Sequence, residues 1–355
     1  MMILTNGLTD VVDEGFLKVA NSLVKRLKKA HQEIEIVSYE RKSEITDTFI
    51  NANKFMSNKS VRDACKKHGD VLYIPFPVKK WVMALRVYIL SRFTKKLRVV
   101  LVLKTPVNAV SKLLLKQSGA GIVVFSREAA DFYGDIVGAH RVTYLKTGVD
   151  TRKFTPVSQE QAAALKEKYG FDPNKKLVLH VGHLNEGRNI RLLTEISDDY
   201  QVLLVTSTQT QSEVDLNLKN DLLAQPNIRI IQDYIPQIQE IYQMSDVYFF
   251  PVVESGRCID VPLSCMEAAA CGKPVVTTPF GEMRELIGKE GIYQLSDFSA
   301  MTINKAITDA VQGGGFSGAS VVAYDWDHAI SYFSKAKGVI KYDFYKEAVE
   351  RNAEK

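Results

Sequence analysis

The stretch LVLHVGHLNEGRNIRLLTEI, residues 177–196, runs from a short apolar segment through glycine into polar residues. Leu177–Val181 is apolar and stops at Gly182, as a strand buried on both faces does. Asn185 and Gly187 mark a turn, and the spacing after them predicts a helix beginning near Arg188. That order puts His183 and Arg188 where a strand ends and a helix begins, the edge at which open α/β sheets bind ligands and helix amides favour anions. A surface βα turn with incidental charge fits the same residues equally well.

The same alternation of apolar runs and amphipathic stretches extends in both directions, the pattern of a doubly wound parallel sheet, and it occurs twice. In the first half the runs predict strands near Met2–Leu4, Glu33–Ser38, Val71–Pro75, Val99–Leu103 and Gly121–Phe125. In the second they predict strands near Leu177–Val181, Gln201–Thr206, Ile228–Gln232, Val247–Val252 and Pro274–Thr278. Gly148 and Pro156 punctuate the polar stretch YLKTGVDTRKFTP and predict a boundary there. Three segments follow: a Rossmann-like domain over 1–146, a second over 147–325, and helices over 326–355 that pack back on the first.

A chain of 355 residues, 46% hydrophobic and 25% charged, has the composition of a globular protein of two domains. Its four cysteines show no CxxC or CxxH spacing, which argues against a zinc site or disulfide framework and for a reducing cytoplasm. The opening MMILTNGLTD lacks the basic and apolar stretches of a signal peptide, and no apolar run approaches the roughly 20 residues that span a bilayer. Charge divides unevenly. Residues 1–150 hold 25 Lys+Arg against 14 Asp+Glu, and residues 151–355 hold 21 against 27. A basic half predicts an anionic partner such as a phospholipid surface or a phosphorylated acceptor.

VKKWVMALRVYILSRFTKKLR, residues 78–98, mixes Trp81, Leu85, Tyr88, Ile89 and Phe93 with seven lysines and arginines, as an interfacial helix does. A core helix with a solvated basic flank fits as well, so peripheral contact with an anionic membrane through residues 78–98 stands beside it. No nucleic-acid-binding motif accompanies the charge.

DVYFFPVVESGRCIDVPLSCMEAAACGKPVVTTPFGEMRELI, residues 246–287, predicts a strand to Pro251, a polar loop, and a helix with Pro262 in its first turn, Asp260 as its cap and Gly272 at its end. From Pro262 to Cys271 the helix is almost wholly small or apolar, yet it carries Glu267. A buried carboxylate needs a partner: ligand hydroxyls, or a basic side chain of the protein itself.

The order GVDTRKFTP, VGHLNEGR, SDVYFFP, PLSCMEAAACGKPVV, FGEMREL and AYDWDHAISYF closely resembles the family 4 retaining glycosyltransferases (glycosyl transferases group 1). The six motifs stand in that family's order across the linker and the second half. In the first half, GLTDVVDEGFLKVANSLVKRL, with Gly15, resembles the family's glycine-containing turn into its first helix. The resemblance implies the GT-B fold, two Rossmann-like domains facing across a cleft. It also implies a UDP- or GDP-sugar as donor substrate rather than a resident cofactor, and a glycan or lipid-linked acceptor.

By position, His183 and Arg188 match the family's basic pair on the donor diphosphate, and guanidinium suits bidentate recognition of phosphate. Glu267 matches the glutamate that resembles a clamp on the ribose hydroxyls. The family's other glutamate, eight positions earlier, falls on Ile259, which leaves Asp260 and Glu254 as alternatives for the acid facing the sugar, Asp260 being nearer the helix start. The amides of Val261, Leu263 and Ser264 would contact sugar or phosphate, while Pro262 has no N–H to offer. Lys104 stands where the family often places a histidine.

The implied reaction leaves negative charge on phosphate, which Arg188, His183 and a helix N-terminus would stabilise without a metal. No DxD-type pair followed by another metal ligand stands out. The expectation is therefore a metal-independent, retaining hexosyltransferase-like enzyme of glycan biosynthesis, cytoplasmic or peripheral at the inner membrane face. A nucleotide-sugar epimerase of the same fold would need acid and base residues that cannot be assigned here. A catalytically silent binding or scaffold protein would explain Ile259 and Lys104, but not Arg188 and Glu267.

Overall fold

The computed structural model describes residues 1–355 except 10–13, 77–79, 105–106, 147, 207–214, 255, 317–320, 322, 328–329 and 332–355. The chain divides into two compact units, one of Met1–Asp10, Val19–Leu145 and Asp327–Lys355, the other of Val11–Lys18 and Lys146–Trp326. Helix α1, Gly15–Ala30, thus begins among residues that cluster with the second unit. The helices expected over 326–355 lie, from residue 332 on, outside the described residues.

The first unit is built on a parallel sheet of seven strands, β1 Met2–Thr5, β2 Glu35–Ser38, β3 Thr48–Phe49, β4 Asp70–Ile74, β5 Lys96–Leu101, β6 Gly121–Val124 and β7 Val142–Tyr144, in the order β3-β2-β1-β4-β5-β6-β7. Its helices besides α1 are α2 Lys59–His68, α3 Lys80–Ser91, α4 Ala109–Ser118 and α5 Arg127–Val137. β1 and β4 are apolar almost without a break because helices cover both faces of a parallel sheet. In α1, Leu17, Ala20, Leu23, Val24 and Leu27 recur at helical spacing and are buried. The strands β3 and β7 escape the sequence reading because two or three residues are too few to show a period. Helix α2 escapes it because only Val61 and Cys65 of its ten residues are buried.

Helix α3 falls in the basic stretch of residues 78–98. Val82, Met83, Ala84, Val87 and Leu90 are buried, and Arg86 is buried with them, its Nε donating to the Lys54 carbonyl at 2.8 Å. Arg98 is also inside, paired with Asp70 at 3.0 Å. Trp81 is exposed, and the Lys54 ammonium stands 5.9 Å from its ring centroid.

The second unit has a parallel sheet of six strands, β8 Leu177–Val181, β9 Gln201–Val205, β10 Ile228–Ile231, β11 Val247–Phe250, β12 Val275–Thr277 and β13 Ile292–Gln294, in the order β10-β9-β8-β11-β12-β13. Its helices are α6 Gln159–Lys168, α7 Leu216–Leu223, α8 Ile238–Met244, α9 Leu263–Ala270 and α10 Ala300–Gly313. Two of the quoted motifs prove to be structural ties. Asp246, before β11, accepts from the Leu177 amide at 2.9 Å, from buried Lys166 at 2.6 Å and from Lys176 at 3.1 Å, which fixes the register of β11 on β8. Asp325 Oδ2 accepts from the amide and hydroxyl of Thr151, while the Trp326 amide donates to the Val149 carbonyl at 3.0 Å and the Val149 amide to the Tyr324 carbonyl at 3.2 Å, so GVDT and YDW are knitted together.

Candidate functional site

Strand order in the second sheet reverses at β8 and β11, whose outer neighbours lie on opposite sides. Ligands of open α/β sheets bind outside the carboxyl ends of strands at such a switch point. Two segments leave there: Gly182–Arg188 after β8, and the loop from Pro251 to Pro262 after β11.

The helix expected from Arg188 does not form. Two short 3₁₀ turns, Glu186–Arg188 and Ile190–Glu195, take its place, separated by Asn189 at φ 55°. A left-handed residue interrupts the α-helical hydrogen-bond ladder, so helix amides do not serve an anion at Arg188. The guanidinium has another anchorage. Arg188 is buried, and its Nε donates to the Arg257 carbonyl at 3.0 Å. A Cβ built on Gly182 would lie 2.6 Å from Arg188 Nη1 and 2.8 Å from His180 Nε2, so both groups crowd the point where glycine leaves room.

His180 has no assigned role from the sequence, although one polar residue inside an otherwise apolar five-residue strand is a signal. Its ring is completely buried and stacked on Tyr248 and Phe250 at interplanar angles of 11° and 14°. Nδ1 lies 2.8 Å from the Phe249 carbonyl, which can only accept, so Nδ1 carries the proton and Nε2 presents a bare lone pair with no hydrogen-bond partner among the described residues. Burial, opposed by the bond to Phe249 and aided by the nearby Arg188 charge, lowers its pKa from 6.5 to about 4. The unfolded chain therefore takes up a proton as pH falls through about 6.5 and the folded chain does so only near 4. The stability this difference carries is complete above the higher value and lost between the two, about 3 kcal/mol in all. Urea midpoints measured from pH 7 to 4.5 should fall more steeply for the wild type than for His180→Phe. Parallel curves would refute this account.

His183 is half-buried in the turn, and its carbonyl accepts from the Asn185 amide at 3.1 Å. Asp260 does not cap α9. The N-cap is Pro262, with no side-chain cap bond, and the Asp260 carbonyl is taken by the Glu282 amide at 2.8 Å. Gly281, at φ 50°, permits that contact, since a Cβ there would collide with the Asp260 carbonyl oxygen. Glu254 is exposed and paired with Arg257 at 2.9 Å. The amides of Val261, Leu263 and Ser264 precede or open α9, where helix N–H groups have no partner in the helix itself. Gly15, the first residue of α1, packs on Ile259: a Cβ there would be 3.2 Å from Ile259 Cδ1.

Glu267 is buried on α9 and has partners inside the protein. Lys18 Nζ donates to Oε1 at 2.8 Å and Oε2 at 3.0 Å, and the fully buried Tyr242 hydroxyl donates to Oε2 at 2.6 Å. Lys153 lies within the field of the same carboxylate, and burial lowers its pKa. Gly272 follows the helix at φ 73°, the left-handed stop expected there. Lys104 pairs with Glu128. Among the described residues no three His, Cys, Asp or Glu side chains gather as metal ligands, and no helix is long and apolar enough to cross a membrane. The four cysteines are free thiols.

Residues 175–312 match the family model described as glycosyl transferases group 1. A GDP-mannose-dependent monoacylated alpha-(1-6)-phosphatidylinositol monomannoside mannosyltransferase of Corynebacterium glutamicum is 26% identical over a match that covers 41% of this chain and 40% of that protein's length. Among solved structures, Anabaena HepE in complex with UDP superposes with a TM-score of 0.73 at 14% identity, covering 94% of this chain and 98% of the other. WaaG, a glycosyltransferase involved in lipopolysaccharide biosynthesis, superposes with a TM-score of 0.61 at 12% identity, covering 94% and 95%. Residues 175–312, which match that family model, lie within the second unit, and the chain has the GT-B fold of these solved structures.

Proposed function

We propose that this protein is a retaining glycosyltransferase that moves a sugar from a nucleoside-diphosphate sugar to a glycan or lipid-linked acceptor. The observation that carries the reading is Arg188: a buried guanidinium, anchored through Nε, crowding the glycine at the switch point of the second sheet. As the bond between the anomeric carbon and the diphosphate breaks, its electron pair stays on phosphate oxygen. Arg188 stabilises that charge, with His183 and the amides of Val261, Leu263 and Ser264 completing the cradle. Glu267 takes the ribose hydroxyls, and the turn at Gly15 closes over the donor. Asp260 faces the sugar in place of the carboxylate missing at Ile259. Glu254 is the poorer alternative, because it is exposed and held by Arg257.

The second unit holds the donor and the first unit the acceptor, and the reaction needs no metal. The enzyme works in the cytoplasm and meets an anionic membrane peripherally through residues 78–98, a reading supported by the excess of 25 Lys+Arg over 14 Asp+Glu in residues 1–150 and by the exposed Trp81. The Corynebacterium relative acts on a glycolipid with GDP-mannose, whereas HepE binds UDP, so both bases belong in the test.

Thermal unfolding with UDP, GDP, ADP and their sugars, with and without EDTA, tests the donor site. One base should stabilise the protein by about 2.7 kcal/mol at a hundred times its Kd, unchanged by EDTA. NMR of the product should show the anomeric configuration of the donor. Stabilisation by no nucleotide would overturn the proposal, and loss of binding in EDTA would overturn its metal independence.

A further inference from the structure

Glu267 is already engaged before any ligand arrives. A carboxylate offers about four acceptor positions, two on each oxygen. Lys18 and Tyr242 fill both positions on Oε2, and Lys18 fills one on Oε1. Two neighbouring ligand hydroxyls bound in bidentate fashion need one position on each oxygen, and Oε2 has none left. One partner must let go. Tyr242 is completely buried and packs edge-on against Phe154, with ring centroids 5.7 Å apart. Lys18 reaches Glu267 on a flexible stem from the first turn of α1 and retains 19% side-chain exposure.

An ammonium that leaves a nearly buried carboxylate gives up a strong interaction, and the exchange is favourable where another anion receives it. The fold supplies a place for that anion. Gly15, three residues before Lys18, packs on Ile259, and the two residues before Ile259 adjoin Arg188: its Nε bonds to the Arg257 carbonyl, and its charge reaches Cys258. We propose that Lys18 is an exchanging ligand of the donor site. In the free protein it holds Glu267; when a nucleoside diphosphate binds, it cedes the carboxylate to the vicinal hydroxyls and turns to the phosphate of the same ligand. The inference rests on the reading of Glu267 as the hydroxyl acceptor. A nucleoside without phosphate offers the hydroxyls but no anion, so it must break the Lys18–Glu267 pair uncompensated.

Calorimetric titration of UDP, GDP, uridine and guanosine into the wild type, Lys18→Met, Lys18→Arg and Glu267→Gln tests this. Lys18→Met frees Glu267, so it should bind the nucleoside about tenfold tighter than the wild type does, and the advantage of diphosphate over nucleoside should shrink by about tenfold or more. Lys18→Arg keeps both interactions and should keep the wild-type ratio. Lys18→Gln serves in place of the methionine variant if circular dichroism shows the latter unfolded. Wild-type binding of a diphosphate with an unchanged ratio in Lys18→Met would overturn the exchange alone. Absence of diphosphate binding in the wild type, or Glu267→Gln binding nucleoside as the wild type does, would overturn the reading of Glu267 and the exchange with it.

Discussion

Arg188→Ala is expected to lower kcat/KM for the donor by about 10²–10³-fold, which corresponds to about 2.7–4 kcal/mol of lost transition-state stabilisation. The size follows from how the side chain is held. Its Nε is committed to the Arg257 carbonyl at 3.0 Å, which orients the guanidinium plane before any ligand arrives. Burial removes most of the water that would compete for the remaining N–H groups. Arg188→Lys keeps the charge but loses both the Nε anchor and the planar fork, so it should fall between the wild type and alanine, at about a tenfold loss. Initial rates at varied donor concentration, with diphosphate affinity measured separately, would check both values. An alanine variant within threefold of the wild type would remove Arg188 from the site.

The sequence carries the local parts of this site and not the distant ones. Strand β8 is legible because a five-residue run, apolar but for His180, stops at a glycine, and α9 because small residues run from Pro262 to a left-handed Gly272. Arg188 was legible for the same reason, since its place follows from the end of β8. The helix expected after it does not form, because Asn189 is left-handed and looks, in sequence, like any polar residue in a turn. Asp260 does not act as the cap because its carbonyl is fixed by the Glu282 amide, a contact from beyond the next strand that the left-handed Gly281 permits. The partners of Glu267 lay further out of reach: Lys18 is 249 positions away, and nothing in either local pattern announces the pair. His180 carried a signal of composition but none of role, because its relation to Arg188 exists only across the folded turn at Gly182.

Gly182→Ala should abolish most donor binding while leaving the fold in place. The residue does not have a positive φ, so alanine suits its backbone, and its amide bond to the Val205 carbonyl at 2.9 Å is unaffected by a side chain. The cost is steric and local. The new methyl would stand 2.6 Å from Arg188 Nη1 and 2.8 Å from His180 Nε2, closer than carbon and nitrogen approach without something shifting. His180 is the less able to yield, being completely buried, stacked between rings and tied through Nδ1 to Phe249. Arg188 is the end of a longer side chain, so its guanidinium moves. The variant should therefore resemble Arg188→Ala in kinetics, with kcat/KM down about 10²-fold, and resemble the wild type in far-UV dichroism. Groups that act as a unit lose their effect together, so Gly182→Ala combined with Arg188→Ala should be no worse than Arg188→Ala alone. Full additivity of the two losses would mean that Gly182 serves the ligand through its own backbone rather than through the guanidinium, and wild-type kinetics in Gly182→Ala would mean that the crowded point above the glycine has no part in binding.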